Sequence, residues 1–240
     1  MTDKTKRIFL WSGPRNISTT LMYSFAQRPD TKVYDEPLYA YYLSNSAAKE
    51  YHPDAELVMS QMECNGEKVI EQMTKDNSAE VVFFKNMTHH LIDLDKEFMK
   101  EGINIILTRE PEQMLSSFHK VIKNPKLKDV GYKDQLSLVH YFEKEFIPFI
   151  VIDSKDILQN PKYYLRKVCE LADVQFHEEM LLWPAKSRIE DGIWAKHWYS
   201  NVHKSTGFMK YKKKTEDFPI ELRSLLKECQ FYYDELMVRI

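Results

Sequence analysis

The sequence predicts an α/β fold, a three-layer sandwich with a central parallel sheet. Three observations carry this. Short runs of apolar, β-branched and aromatic residues recur along the chain, several apolar at successive positions, as in strands covered on both faces. Segments with apolar residues at helical spacing separate them, which is the alternation of βαβ crossovers. The composition, 43% hydrophobic and 29% charged over 240 residues, is that of a globular chain able to bury a substantial core. No repeat, low-complexity tract or Gly/Ser linker divides it, so residues 1–240 read as one domain.

The first strand is Ile8-Phe9-Leu10-Trp11. Ile17 to Gln27 follows as a helix, because Ile17, Leu21 and Phe25 recur on one face. Lys32-Val33-Tyr34, Val81-Val82-Phe83-Phe84, Ile103 to Leu107 and Phe149-Ile150-Val151-Ile152 supply the next four strands. Helices are expected over Met114 to Ile122 and Gln135 to Phe146, the second with the stripe Leu136, Val139 and Phe142. Pro161 and Pro219 each open a helix at a position where the missing N–H costs nothing. Lys186 to Lys214, rich in His, Trp, Lys and Gly, is the longest irregular stretch, and such loops tend to carry function.

Charge and cysteine usage exclude several classes. Lys+Arg 34 against Asp+Glu 36 gives a net charge of -2, so the chain is no polycation built for nucleic acid. No apolar run approaches the roughly 20 residues that span a bilayer. Met1 to Arg7 is charged and lacks the signal-peptide pattern. The separated Cys64, Cys169 and Cys229 suit a reduced compartment, not a disulfide framework or a four-cysteine zinc site. The expectation is a cytoplasmic protein that engages neither nucleic acid nor membrane.

In open α/β sheets ligands bind beyond the carboxyl ends of the strands. The loop after the first strand reads Ser12-Gly13-Pro14-Arg15-Asn16-Ile17-Ser18-Thr19-Thr20 and enters a helix. Helix N-termini attract anions, hydroxyls donate, and the Arg15 fork matches phosphate or sulfate. An ordinary helix cap accounts for one hydroxyl, not three beside an arginine. The Gly-Lys-Ser/Thr ending of a Walker A loop is missing, and Gly13 alone makes no dinucleotide fingerprint. A second anion site is read at Thr108-Arg109-Glu110-Pro111, where an arginine at a strand end precedes a helix carrying Ser116 and Ser117. Taken singly, Arg109 and these serines also fit a surface arginine and ordinary helix residues.

Together the two segments resemble the P-loop sulfotransferases, which use 3′-phosphoadenosine 5′-phosphosulfate. Pro14-Arg15-Asn16-Ile17-Ser18-Thr19 matches the family's Pro-Lys/Arg-Ser-Gly-Thr/Ser-Thr loop, departing at Asn16 and Ile17. Arg109, Pro111 and Ser117 match its Arg-x-Pro-x-x-x-x-x-Ser signature for the 3′-phosphate. Val151 to Pro161 is similar to the family's Tyr-Glu-Asp-Leu…Asn-Pro segment, mainly structural there, which follows the last central strand. Lys186, Ser187, Arg188 and Asp191-Gly192-Ile193-Trp194 resemble the loop over the nucleotide, and read equally as a solvated basic loop.

The resemblance implies a P-loop nucleoside triphosphate hydrolase-like fold and sulfuryl transfer to a hydroxyl of a small-molecule or carbohydrate acceptor, with no metal. It implies that Gly13 to Thr20 hold the phosphosulfate, that Arg109 and Ser117 hold the 3′-phosphate, and that Lys186, Arg188, Gly192 and Trp194 cover the nucleotide. Lys85 and Arg15 would stabilise charge on the bridging oxygen. The base is Glu36, which follows the second strand, or His89, with His90 third. A glutamate before proline is also a common turn residue, and adjacent histidines point in different directions. The His pair has no ligand-spaced partner for a metal. Lys210, Lys212, Lys213 and Lys214 read as a solvated face, and His197 and His203 as substrate contacts or solvated residues. A nucleotide-dependent kinase and a non-catalytic nucleotide-binding relative are the alternatives. Acceptor choice falls to Leu38 to Met73 and Lys123 to Lys133, which name no substrate, and oligomeric state is open.

Overall fold

In the computed structural model, residues 5–213 and 217–240 are described, so Lys214 of the basic run lies outside them. The five expected strands all form: β1 (Lys6–Ser12), β2 (Thr31–Asp35), β3 (Val81–Met87), β4 (Ile103–Thr108) and β5 (Phe149–Asp153). They pair in parallel in the order β2-β3-β1-β4-β5. The helices are α1 (Ser18–Phe25), α2 (Tyr39–Ser44), α3 (Ala55–Gln61), α4 (Gly66–Lys75), α5 (Pro111–Phe118), α6 (Leu127–Val130) and α7 (Tyr132–Glu145). They continue as α8 (Ser154–Gln159), α9 (Pro161–Leu171), α10 (Ala195–Trp198) and α11 (Arg223–Met237). Among the described residues no helix is long and apolar enough to cross a membrane.

Both faces of the sheet are covered, which is why the strands read as continuous apolar runs. Ile8 and Leu10 pack with Leu21 and Phe25 of α1 and with Leu165 and Val168 of α9. Phe9 and Trp11 face the opposite layer, with Val69 of α4 and with Leu136, Val139 and Phe142 of α7. These four side chains of β1 are fully buried, and each contributes about 1.5–3 kcal/mol of hydrophobic stabilisation. The buried indole N–H of Trp11 donates to Asn104 Oδ1 at 2.9 Å, so its burial leaves no orphaned donor.

Several boundaries depart from the sequence reading for local reasons. Helix α1 starts at Ser18 because Ile17 takes a left-handed backbone, φ 64. Helix α5 starts earlier than expected, with Pro111 in its first turn. A three-residue 3-10 turn, Ile220–Leu222, lies between Pro219 and α11. The stretch from Lys186 is not wholly irregular, since it contains α10 and a 3-10 turn at Val202–Lys204. Gly131, φ 76, separates α6 from α7. A Cβ there would come within 2.6 Å of Thr88 Oγ1, so only glycine fits between α7 and the end of β3.

Register fixes the floor of the site. Ser12 pairs with Met87 and with Leu107, so β1, β3 and β4 end side by side. Asp35 pairs with Lys85, which puts a carboxylate and an ammonium on neighbouring strands. After β1 the chain turns towards β2, whereas β4 lies on the other flank of β1. The crevice between those diverging connections is where open α/β sheets bind ligands.

Candidate active site

A cavity of about 380 Å³ opens over these strand ends. Its wall includes Pro14, Arg15, Ile17, Ser18, Thr19 and Thr20 from the loop after β1 and the first turn of α1. Glu36 reaches it from the end of β2, Lys85 and His89 from β3 and the turn after it, Arg109 from β4, Ser117 from α5, and Trp194 from the late segment. Residues read as two separate anion sites thus share one cavity.

The two arginines are directly linked. Arg109 Nη1 donates to the Arg15 carbonyl at 2.6 Å, and Arg15 Nε donates to Ser117 Oγ at 3.1 Å. Arg15 Nη1 also donates to the Trp198 carbonyl at 3.1 Å. Neither guanidinium forms an ion pair with a carboxylate among the described residues. Burial, followed by the neighbouring Arg109 charge, pulls Arg15 below its ordinary pKa, and burial does the same to Arg109. Two partly desolvated guanidinium groups that form no ion pair with a carboxylate among the described residues make an environment that an anion would relieve.

The loop around Arg15 is strained. Arg15 has φ 61 and Ile17 φ 64, and such conformations cost non-glycine residues about 1–3 kcal/mol each. Left-handed residues at close spacing are also the units from which backbone N–H concavities for anions are built. Asn16 holds the turn down from behind, donating from Nδ2 to the Leu107 carbonyl at 3.0 Å. The Ser154 hydroxyl donates to the Asn16 carbonyl at 2.8 Å. Gly13 packs under the loop, where a Cβ would meet the Val130 carbonyl at 2.7 Å. Gly13 and Asn16 therefore shape the loop without lining the cavity.

On the β2–β3 side, Lys85 is buried to 1% exposure. Its ammonium donates to Asp35 Oδ1 at 2.7 Å, to Glu36 Oε1 at 2.5 Å and to the Tyr199 hydroxyl at 2.5 Å. Tyr199 in turn donates to the Asp35 carboxylate at 2.8 Å and accepts from Trp194 Nε1 at 3.1 Å. The Gly192 N–H donates to Asp35 Oδ2 at 2.9 Å. Burial raises the Glu36 pKa, with Lys85 opposing and Asp35 reinforcing the effect. All three N–H groups of Lys85 are occupied, so its expected reach to a bridging oxygen is closed in this arrangement.

The histidines form an uncharged wall. His90 lies between the rings of Tyr39 and Tyr42, with centroids 5.2 Å and 4.6 Å away. His89 meets Tyr42 edge-on at 5.0 Å. His52 Nδ1 lies 2.8 Å from the Tyr39 hydroxyl. Burial lowers His89 to about 3 and His52 to about 4. Among the described residues no group of three His, Cys, Asp or Glu side chains could hold a metal ion.

Part of the late segment does not reach the cavity. Lys186 is exposed, and Arg188 Nε pairs with Glu190 at 3.1 Å while its guanidinium lies over the Tyr23 ring. Asp191 causes this, accepting from the Tyr23 hydroxyl at 2.8 Å and the Arg188 N–H at 2.9 Å. Gly192 acts through its backbone on Asp35. Sequence reasoning missed Asp35, His52, Trp198 and Tyr199. Only Asp35 had a signal, its position beside Glu36 at a strand end.

A family model described as "Sulfotransferase domain" matches residues 6–239. "Branched-chain-amino-acid aminotransferase-like protein 2" of Arabidopsis thaliana is 37% identical over 231 residues, 95% of this chain and 41% of that protein. The chain therefore spans about two-fifths of the length of that curated relative. Among solved structures, the sulfotransferase domain from the curacin biosynthetic pathway aligns with TM-score 0.57 at 15% identity, covering 98% of this chain and 99% of that one. The sulfotransferase domain of the Synechococcus PCC 7002 olefin synthase also gives TM-score 0.57 at 15% identity, covering 94% and 96%. At that identity these two likenesses describe the fold.

Proposed function

The chain belongs to the sulfotransferase-domain family, and from that premise we propose that it transfers a sulfuryl group from 3′-phosphoadenosine 5′-phosphosulfate to a hydroxyl of a small-molecule or carbohydrate acceptor. The observation that carries this reading is the linked pair Arg15 and Arg109, neither in an ion pair with a carboxylate among the described residues, sharing one cavity with Ser117 and the hydroxyls of Ser18 and Thr19. Two half-buried guanidinium groups, with no carboxylate ion pair among the described residues, fit a ligand with more than one anionic group.

When bound, the donor supplies an activated sulfuryl group and a bisphosphate leaving group. Arg15, Ser18 and Thr19 hold the phosphosulfate end, and Arg109 with Ser117 holds the 3′-phosphate. Glu36 takes the proton from the acceptor hydroxyl. Its raised pKa brings it nearer the working pH of a general base, whereas an imidazole at about 3, as for His89, binds protons too weakly. Lys85, fixed by Asp35 and Tyr199, orients the Glu36 carboxylate and stabilises its ionised form. Positioning and electrostatics supply most of the acceleration, as in phosphoryl transfer.

Thermal unfolding with adenosine 3′,5′-bisphosphate tests the donor site. A ligand at a hundredfold excess over its dissociation constant stabilises by about 2.7 kcal/mol. Arg109→Ala removes most of that shift. Equal protection by adenosine 5′-phosphate rejects the 3′-phosphate assignment, and turnover that depends on magnesium favours a kinase.

A further inference from the structure

The two ends of the cavity carry opposite electrostatic character. At the β1–β4 end stand Arg15 and Arg109, with Lys210 and Lys212 also on the wall. Lys213 Nζ lies 3.8 Å from Glu110, which sets this basic segment beside the loop after β4. At the β2–β3 end the wall is Glu36, Tyr39, His52, His89, His90 and Trp194.

Among the described residues Lys85 is the one ammonium on the wall at the β2–β3 end, and it has no hydrogen left to offer. A lysine ammonium has three N–H donors, and here they meet Asp35, Glu36 and Tyr199. With two carboxylates beside one ammonium, the group has no net positive charge in either protonation state of Glu36. The imidazoles are packed against aromatic rings, and the buried Nδ1 atoms of His89 and His90 have no hydrogen-bond partner among the described residues. Further out, Lys196 and His197 are both held by Asp54, at 2.7 Å and 2.6 Å. An anion brought to this end would lose its water, meet a carboxylate and find no free cation among the described residues.

We propose that the acceptor is an uncharged alcohol, with no carboxylate, phosphate or sulfate beside its reacting hydroxyl, seated against the Tyr39, His52 and Trp194 wall with that hydroxyl on Glu36. This rests on the sulfuryl-transfer reading above and adds a charge filter to it. The basic Arg15–Arg109 end is left to the donor, and the apolar ring faces contact the carbon skeleton of the acceptor.

The test uses paired probes of one skeleton, benzyl alcohol against benzoate and cyclohexylmethanol against cyclohexanecarboxylate. Their affinities are measured by ligand-observed NMR on the protein saturated with adenosine 3′,5′-bisphosphate, which covers the basic end. Each alcohol is expected to bind about tenfold or more tightly than its carboxylate. Equal affinities, tighter carboxylates, or no binding by either member of a pair overturn the proposal. His52→Lys adds an ammonium to this wall and should reverse the preference. An unchanged preference in folded His52→Lys protein also overturns it, because the probes then sit elsewhere. Failure of the bisphosphate itself to bind removes the donor reading instead, and the probe pairs are then read on the free protein.

Discussion

The hydroxyl of Tyr199 accepts a hydrogen bond from Lys85 at 2.5 Å while donating to the Asp35 carboxylate at 2.8 Å. A residue from the late segment thus closes a network otherwise built from β2 and β3. Its neighbour Trp198 offers its carbonyl to Arg15, so adjacent residues touch both halves of the cavity. Tyr199→Phe takes from Trp194 Nε1 its acceptor and from Lys85 one of its three acceptors, in a buried setting. The expected loss of stability is about 1–3 kcal/mol, read from urea unfolding. The pH profile of turnover should shift as well, because Lys85 and Asp35 are then free to rearrange around Glu36.

Lys85 itself tests how the carboxylates are balanced. Lys85→Met removes the cation that bridges Asp35 and Glu36, leaving two close buried carboxylates. Breaking a buried ion pair from one side costs about 3–5 kcal/mol. The loss should be smaller at low pH, where one carboxyl is protonated. Denaturant midpoints at pH 5 and pH 7.5 measure the difference, and equal losses at both values contradict the charge balance.

The arginine pair predicts the reverse, a site that contributes little to stability without ligand. Arg109→Met forfeits the hydrogen bond to the Arg15 carbonyl, about 1 kcal/mol. It also relieves the cost of a second desolvated guanidinium beside Arg15. The two effects offset, so ligand-free stability should change by less than about 1 kcal/mol while bisphosphate protection disappears. A loss well beyond that in the ligand-free protein would mean that Arg109 is a structural residue.

What the sequence disclosed follows from how each feature is encoded. The strands were legible because two covered faces make every position apolar, as at Ile8 to Trp11. Arg15 and Arg109 were legible because each sits at a strand end, the place where this fold binds ligands. Helices α2 and α3 escaped because they are short and their apolar residues pack in a side cluster with Trp194 and Tyr199, away from the sheet. Asp35 depends on β2–β3 register, which neither strand reveals alone. Tyr199 reaches Lys85 across 114 residues from a segment without periodicity, so no local pattern could announce it.

The histidine wall predicts how stability depends on pH. Burial holds His52 at about 4 and His89 at about 3, against about 6.5 for a free imidazole. Between those values the unfolded chain binds protons that the folded protein refuses, so stability rises with pH there. The contribution is complete above about 6.5 and is lost as pH falls towards the folded values. For His52 alone it amounts to roughly 3 kcal/mol. Glu36 works in the opposite sense: its raised folded pKa gives stability that is present at low pH and lost as pH rises through that value. The unfolding free energy from urea titrations should therefore fall by several kcal/mol in total from pH 7.5 down to 4.5, more steeply in Glu36→Gln. The double variant His52→Gln, His89→Gln should flatten the curve. A flat curve in the unaltered protein would mean that these rings take up protons as readily folded as unfolded, and the uncharged wall would have to be given up.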